Sequence, residues 1–259
     1  MALDVVELRS FYACPLGKSA HRFLSQVLVG RWPDCAGATV LGVGYASPYL
    51  DVWRGPAVRV LSFMPAAQGV VAWPKDGPNA SALVDILDMP LPDACVDRLL
   101  LVHALENADD PEGLLEEAWR LLAPGGRMIV VAPNRRGFWA RGDTTPFGQG
   151  RPYSRGQMRD VLRHNLFTPV FSSDALYMPP FRSPLALRVS PAMEKLGEAL
   201  GLPGAGVMVV EAVKELFRPV TARPGRRRLP QRGIATAPAL APRQATKAPA
   251  PRARDLTVP

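Results

Sequence analysis

The chain has 259 residues, 47% of them apolar and 21% charged, which suits an α/β domain of ordinary size and excludes a fibrous or wholly disordered protein. No run of about 18 uninterrupted apolar residues occurs, so a membrane-spanning helix is not expected. The net charge of +8 resides in residues 219–259, which hold nine basic side chains and one acid, while the remaining residues balance to zero. That segment also holds eight Pro and nine Ala without hydrophobic periodicity, so it reads as a disordered basic tail after a domain spanning 1–218. The start of the chain lacks a basic region followed by an apolar core, which argues against a signal peptide. Cys14, Cys35 and Cys95 show no CxxC spacing, which argues against a disulfide framework or a zinc site and points to a cytoplasmic location.

In chain order, apolar positions from Lys18 to Val29 recur at helical spacing and stop at Arg31-Trp32-Pro33. Thr39 to Gly44 is a β-branched run ending in glycine, the pattern of a buried strand entering a tight turn. Further apolar runs at Val58–Phe63, Ala80–Val84, Val96–Val102 and Arg127–Ala132 predict strands two to five. Between the last two lies a helix with Asp110 as N-cap, Pro111 at the first position, an apolar face of Leu114, Leu115, Ala118, Leu121 and Leu122, and a stop at Pro124-Gly125-Gly126. Val207–Val213 predicts a late strand, with another near Pro169–Ser172. Strands alternating with helices predict a Rossmann-like, doubly wound and mostly parallel seven-stranded sheet with helices on both faces.

In such a sheet ligands bind beyond the carboxyl ends of the strands. The candidate ligand-binding residues are therefore Gly42, Val43 and Gly44 after strand one, Ser62 and Phe63 after strand two, Asp85 and Ile86 after strand three, and His103 after strand four. Each also has a plain structural explanation: glycines for a tight turn, Asp85 as a helix cap, His103 as a hydrogen-bonded core side chain. Their placement at successive strand ends is what favours a site.

The stretch from Asp85 to Asn134 carries a resemblance. It contains Asp85 five residues before Pro90-Leu91, Asp97 opening strand four, Leu122-Ala123-Pro124-Gly125-Gly126 before strand five, and Ala132-Pro133-Asn134 after it. These features resemble class I S-adenosylmethionine-dependent methyltransferases, in particular the type 11 branch that acts on small molecules and lipid quinones. The resemblance implies S-adenosylmethionine as cofactor, with Asp85 toward the adenine amino group. Three features depart from the family pattern: Leu41 stands where an acid precedes the first glycine, Ala46 where a third glycine is usual, and Ser62 where an acid takes the ribose hydroxyls.

Methyl transfer from a sulfonium depends mostly on alignment, and a base is needed only where the acceptor must lose a proton. His103 is the strand-end group with a suitable pKa for that role. The resemblance thus implies a methyltransferase on a small-molecule or lipid-like acceptor. The altered motif keeps open a catalytically inactive interaction or regulatory module on the same fold. A dinucleotide oxidoreductase leaves the Asp85–Asn134 pattern unexplained. The long segment Arg135–Tyr153, with Phe138, Trp139, Phe147 and Tyr153 among arginines, is a candidate acceptor wall for a flat or anionic molecule, or a surface loop packing its rings on the sheet. The basic tail suits weak contact with a polyanion.

Overall fold

The computed structural model describes residues 3–216 apart from 143 and 182; the predicted basic tail lies outside the described residues. Two helices open the chain, α1 (Val5–Ala13) and α2 (Pro15–Arg31). The sheet begins with β1 (Thr39–Gly44), the short α3 (Ser47–Leu50), β2 (Arg59–Pro65), β3 (Ser81–Val84) and β4 (Val96–Val102). Then follow α4 (Pro111–Leu121), β5 (Leu122–Pro133), α5 (Pro146–Gln149), α6 (Arg155–His164), β6 (Phe167–Ala175), α7 (Pro184–Leu200) and β7 (Val207–Lys214). The seven strands lie in the order β3-β2-β1-β4-β5-β7-β6. β7 runs antiparallel to both its neighbours, and the remaining pairs are parallel.

Side chains alternate across the pleat and feed two cores. Leu100, Val102, Ile129 and Val131 face α2 and α3, where Leu24, Leu28 and Leu50 meet them. Leu99, Leu101, Met128 and Val130 face the opposite way onto Leu114, Leu115 and Leu121 of α4 and Met158 and Leu162 of α6. The α4 boundaries follow the sequence signals: the Asp110 carboxylate accepts the Gly113 N–H at 3.0 Å and Pro111 occupies the first turn.

Three elements differ from the sequence reading. α1 escaped it, because its apolar positions Val5, Leu8 and Phe11 span less than two turns. It meets α2 so closely that a Cβ at Gly17 would stand 1.9 Å from the Phe11 carbonyl oxygen. β2 runs two residues past Phe63, which moves the strand end to Pro65. The segment 135–153 is not structureless: a 3-10 turn at Phe138–Arg141 and α5 tuck its rings inward, with Trp139 and Phe147 buried.

Candidate active site

The strand order reverses between β1 and β4, where a doubly wound sheet opens its ligand crevice. A cavity of about 320 Å³ lies at this edge. Its walls are Pro65–Gln68 after β2, Val84–Leu87 after β3, and His103, Ala104 and Asn107–Asp110 after β4, with Leu3 of the N-terminus at one side. Of the residues expected from sequence, Asp85, Ile86 and His103 come together here.

Gly42, Val43, Gly44, Ser62 and Phe63 do not line this cavity. The two glycines answer to chain packing. A Cβ on Gly42 would meet Ala46 at 2.6 Å and Leu50 at 2.8 Å; one on Gly44, whose φ is +81°, would stand 2.3 Å from the Val102 carbonyl oxygen. Val43 is a core residue paired with Phe63 on the neighbouring strand. Ser62 is fully buried three residues before the end of β2, flanked by Gly42 and Ser81, and its hydroxyl has no partner. Ser62 is therefore turned away from this cavity. β2 ends instead in Pro65, and the turn beyond it carries Gln68 and no carboxylate.

The cavity's acids come from β3 and β4. Asp85 is exposed, and its Oδ1 accepts the Leu87 N–H at 2.9 Å, which fixes the turn after β3. Asp109 and Asp110 line it as well, Asp110 doubling as the α4 cap.

His103 is fully buried at φ +52°, a left-handed backbone that side chains seldom adopt. Its Nδ1 lies 3.1 Å from Glu106 Oε1 and its Nε2 2.9 Å from the Tyr12 hydroxyl, which also accepts from the Tyr49 hydroxyl at 3.1 Å. The arrangement that satisfies all three contacts has Tyr12 donating to Nε2 and Nδ1–H donating to Glu106. Burial first, and the neighbouring Tyr49 second, push the Tyr12 hydroxyl well above its ordinary value of 10.0, so it remains a donor at neutral pH. The His103 carbonyl accepts from Gln68 at 3.2 Å and Asn107 at 3.3 Å. Both ring nitrogens are thus engaged, and the imidazole clasps α1 to the sheet edge.

Around that clasp α1 covers the β1 turn. Tyr12 stacks on Tyr45 with ring centres 5.5 Å apart, and Leu3, Val5 and Leu8 close over Tyr45 and Met64. A second cavity, of about 490 Å³, lies between the α1–α2 junction and α5 and shares Leu3 as a wall. Its floor includes Phe11, Leu16 and Thr145, and the Thr145 hydroxyl is buried without a partner. Neither Trp139 nor any arginine of the 135–153 segment lines it; Trp139 is buried with its Nε1 donating to the Met178 carbonyl at 2.7 Å. Tyr12, Gln68 and Leu3 were not found from sequence, because nothing local marks a residue whose partner lies tens of positions away; Glu106, three residues after His103, was missed although it is near in sequence.

Comparison with known proteins fits this geometry. A family model described as a methyltransferase domain matches residues 40–130, from β1 into β5. Over those residues the chain matches the class I S-adenosylmethionine-dependent methyltransferase family. Within that family it is 31% identical over 143 residues to a ubiquinone/menaquinone biosynthesis C-methyltransferase, UbiE, of Acidiphilium cryptum, covering 52% of each chain. It is 32% identical over 101 residues to a demethylmenaquinone methyltransferase of Thermus thermophilus, covering 37% of this chain and 36% of that one. The chain thus spans about half or less of the length of these curated relatives. A solved structure described as a possible histamine N-methyltransferase from Thermotoga maritima superposes with a TM-score of 0.53 at 20% identity, covering 82% of this chain and 96% of that one. The [4+2]-cyclase SpnF superposes at 0.56 and 21% identity, covering 77% and 82%. These two likenesses bear on the fold alone.

Proposed function

We propose that this methyltransferase-family chain binds S-adenosylmethionine at the β2–β3–β4 edge and transfers its methyl group to a small, apolar acceptor. The observation that carries this reading is the cavity that joins Asp85 and Ile86 to the loop after β4, within the segment matched by the methyltransferase-domain model. Its chemistry fits the nucleoside half of the cofactor. Asp85 and Asp109 offer acceptors for amino and hydroxyl groups, while Pro65, Val84 and Ala104 offer flat apolar walls. The methionyl half would need the place beside the β1 turn, which α1 covers, so α1 has to swing aside to admit it. The bound cofactor supplies a methyl group already activated on a sulfonium.

The second cavity suits the acceptor. It is largely apolar, the unpartnered Thr145 hydroxyl offers one hydrogen bond, and Glu7 is its one charged side chain among the described residues. That composition favours an uncharged ring or chain over the anionic acceptor suggested by the arginines of 135–153. The quinone methyltransferases among its relatives point the same way. His103 would take a proton from such an acceptor only after Tyr12 has withdrawn with α1.

A second reading, an interaction module on the same fold, is favoured by the α1 cover and by the missing carboxylate at the end of β2. Calorimetric titration with S-adenosylhomocysteine separates the two. Asp85→Asn keeps an oxygen for the Leu87 N–H and removes the charge. It should weaken binding by roughly tenfold, about 1.4 kcal/mol, with an unchanged melting temperature. No detectable binding to the wild-type chain would overturn the methyltransferase reading.

A further inference from the structure

α7 is amphipathic in the reverse of the usual sense. Its inward residues are Ser190, Glu194 and Gly197, all buried. A Cβ on Gly197 would lie 2.3 Å from the Tyr177 ring. The Glu194 carboxylate accepts the N–H groups of Leu176 at 2.6 Å and Tyr177 at 2.8 Å. Pro191 brings no N–H to the Leu187 carbonyl, and the Ser190 hydroxyl donates to that oxygen at 2.8 Å instead. Small and polar groups, together with Leu187 packed against the core, therefore hold the helix to the protein.

Its other large apolar residues face outward. Leu185, Val189, Met193, Leu196 and Leu200 are 70%, 46%, 39%, 56% and 63% exposed. At about 100° per residue these five positions fall within an arc of about 80°, a continuous stripe some 25 Å long. Phe181 and Leu202 are exposed as well, just beyond its two ends. Arg188 and Lys195, both exposed, border one side of the stripe. An ordered apolar row of this length on a surface marks a place where something docks.

The charge of the chain says what. Residues 219–259 hold nine basic side chains against one acid, and the rest of the chain is neutral overall. A protein partner or a second copy would use the stripe and have no need of that segment. A nucleic acid would use the segment and leave the stripe in water. An anionic bilayer surface uses both, because shallow insertion of one apolar helix face is weak and becomes stable when a polybasic segment adds its attraction. Among the described residues no helix is long and apolar enough to cross a membrane, so the contact is one of lying on the surface. We propose that the outward face of α7 docks this protein on anionic lipid bilayers, the net positive charge of residues 219–259 adding its attraction. The proposal stands independently of the methyltransferase reading.

Co-sedimentation of the full chain with phosphatidylcholine vesicles, with and without 30% phosphatidylglycerol, tests it. Binding is expected to the anionic vesicles and to be at least fivefold weaker on the neutral ones. Leu196→Ser/Leu200→Ser, and separately removal of residues 218–259, should each reduce binding at least fivefold. A Leu196→Trp variant gives a reading free of folding losses: its added emission should shift to the blue on anionic vesicles and be quenched by brominated lipid. Vesicle binding unaffected by the double substitution, or an added indole emission untouched by brominated lipid, overturns the proposal. So does a dimer in sedimentation velocity that the double substitution dissolves, or RNA binding by the basic segment that outcompetes the vesicles.

Discussion

The Ser62 hydroxyl sits sealed between β1 and β3 with nothing to bond to. A neutral unpaired hydroxyl contributes no stability, so Ser62→Ala should leave the melting temperature unchanged or raise it slightly. Ser62→Asp places an unpaired charge at a site closed to water, at about 3 kcal/mol or more, and should lower the melting temperature by roughly 6–12 °C. Thermal unfolding of both variants checks this. A Ser62→Asp protein as stable as wild type would show that the hydroxyl faces a wet pocket after all. His103 illustrates the same point: its type and its position after β4 were legible in the sequence, but its partners Tyr12 and Glu106 were not. They come from a helix 91 residues earlier and from the turn that follows.

Among the elements, α1 is the one on which the proposed cofactor site depends. Packing of Leu3, Val5 and Leu8 on Tyr45 and Met64, together with the Tyr12–His103 bond, holds it over the β1 turn. Tyr12→Phe deletes that bond and leaves His103 Nε2 without its donor, which costs about 1 kcal/mol or somewhat more. If the cofactor has to displace α1, the same loss should tighten S-adenosylhomocysteine binding by roughly fivefold, since less of the binding energy goes into opening. Calorimetry paired with amide exchange of residues 5–13 measures both effects. Faster exchange without tighter binding would mean that α1 stays in place when ligand binds. α4, by contrast, was readable almost residue by residue, because its cap, its first proline and its apolar stripe are all local signals.

For the whole molecule, three buried carboxyls contribute to the response to pH. At Glu211 burial opposes ionisation, but hydrogen bonds from Arg31, Arg127 and Trp32 outweigh it and hold the group below its ordinary 4.5. Glu117 lies below 4.5 as well, chiefly through Arg120. Both contribute stability that is full above about 4.5 and is lost as pH falls through their folded values. Glu194 is raised by burial, and its contribution runs the other way: full below about 4.5 and lost as pH rises through its higher folded value. Glu211→Gln should therefore lower neutral-pH stability by about 3 kcal/mol and flatten the acid limb of a melting-temperature profile. An unchanged acid limb would assign acid unfolding to other groups. The sequence by itself determined the alternation of strands and helices, the parallel sheet, the α4 boundaries and the strand-three and strand-four ends where Asp85 and His103 stand. Those depend on periodicity, caps and turn residues within a few positions of one another. Only the tertiary structure decided that β2 continues to Pro65 and buries Ser62, that α1 closes over the glycine turn, and that α7 turns its leucines outward. Each of these is set by strand register or by what a distant segment leaves room for, and a pattern of neighbours along the chain holds no record of it.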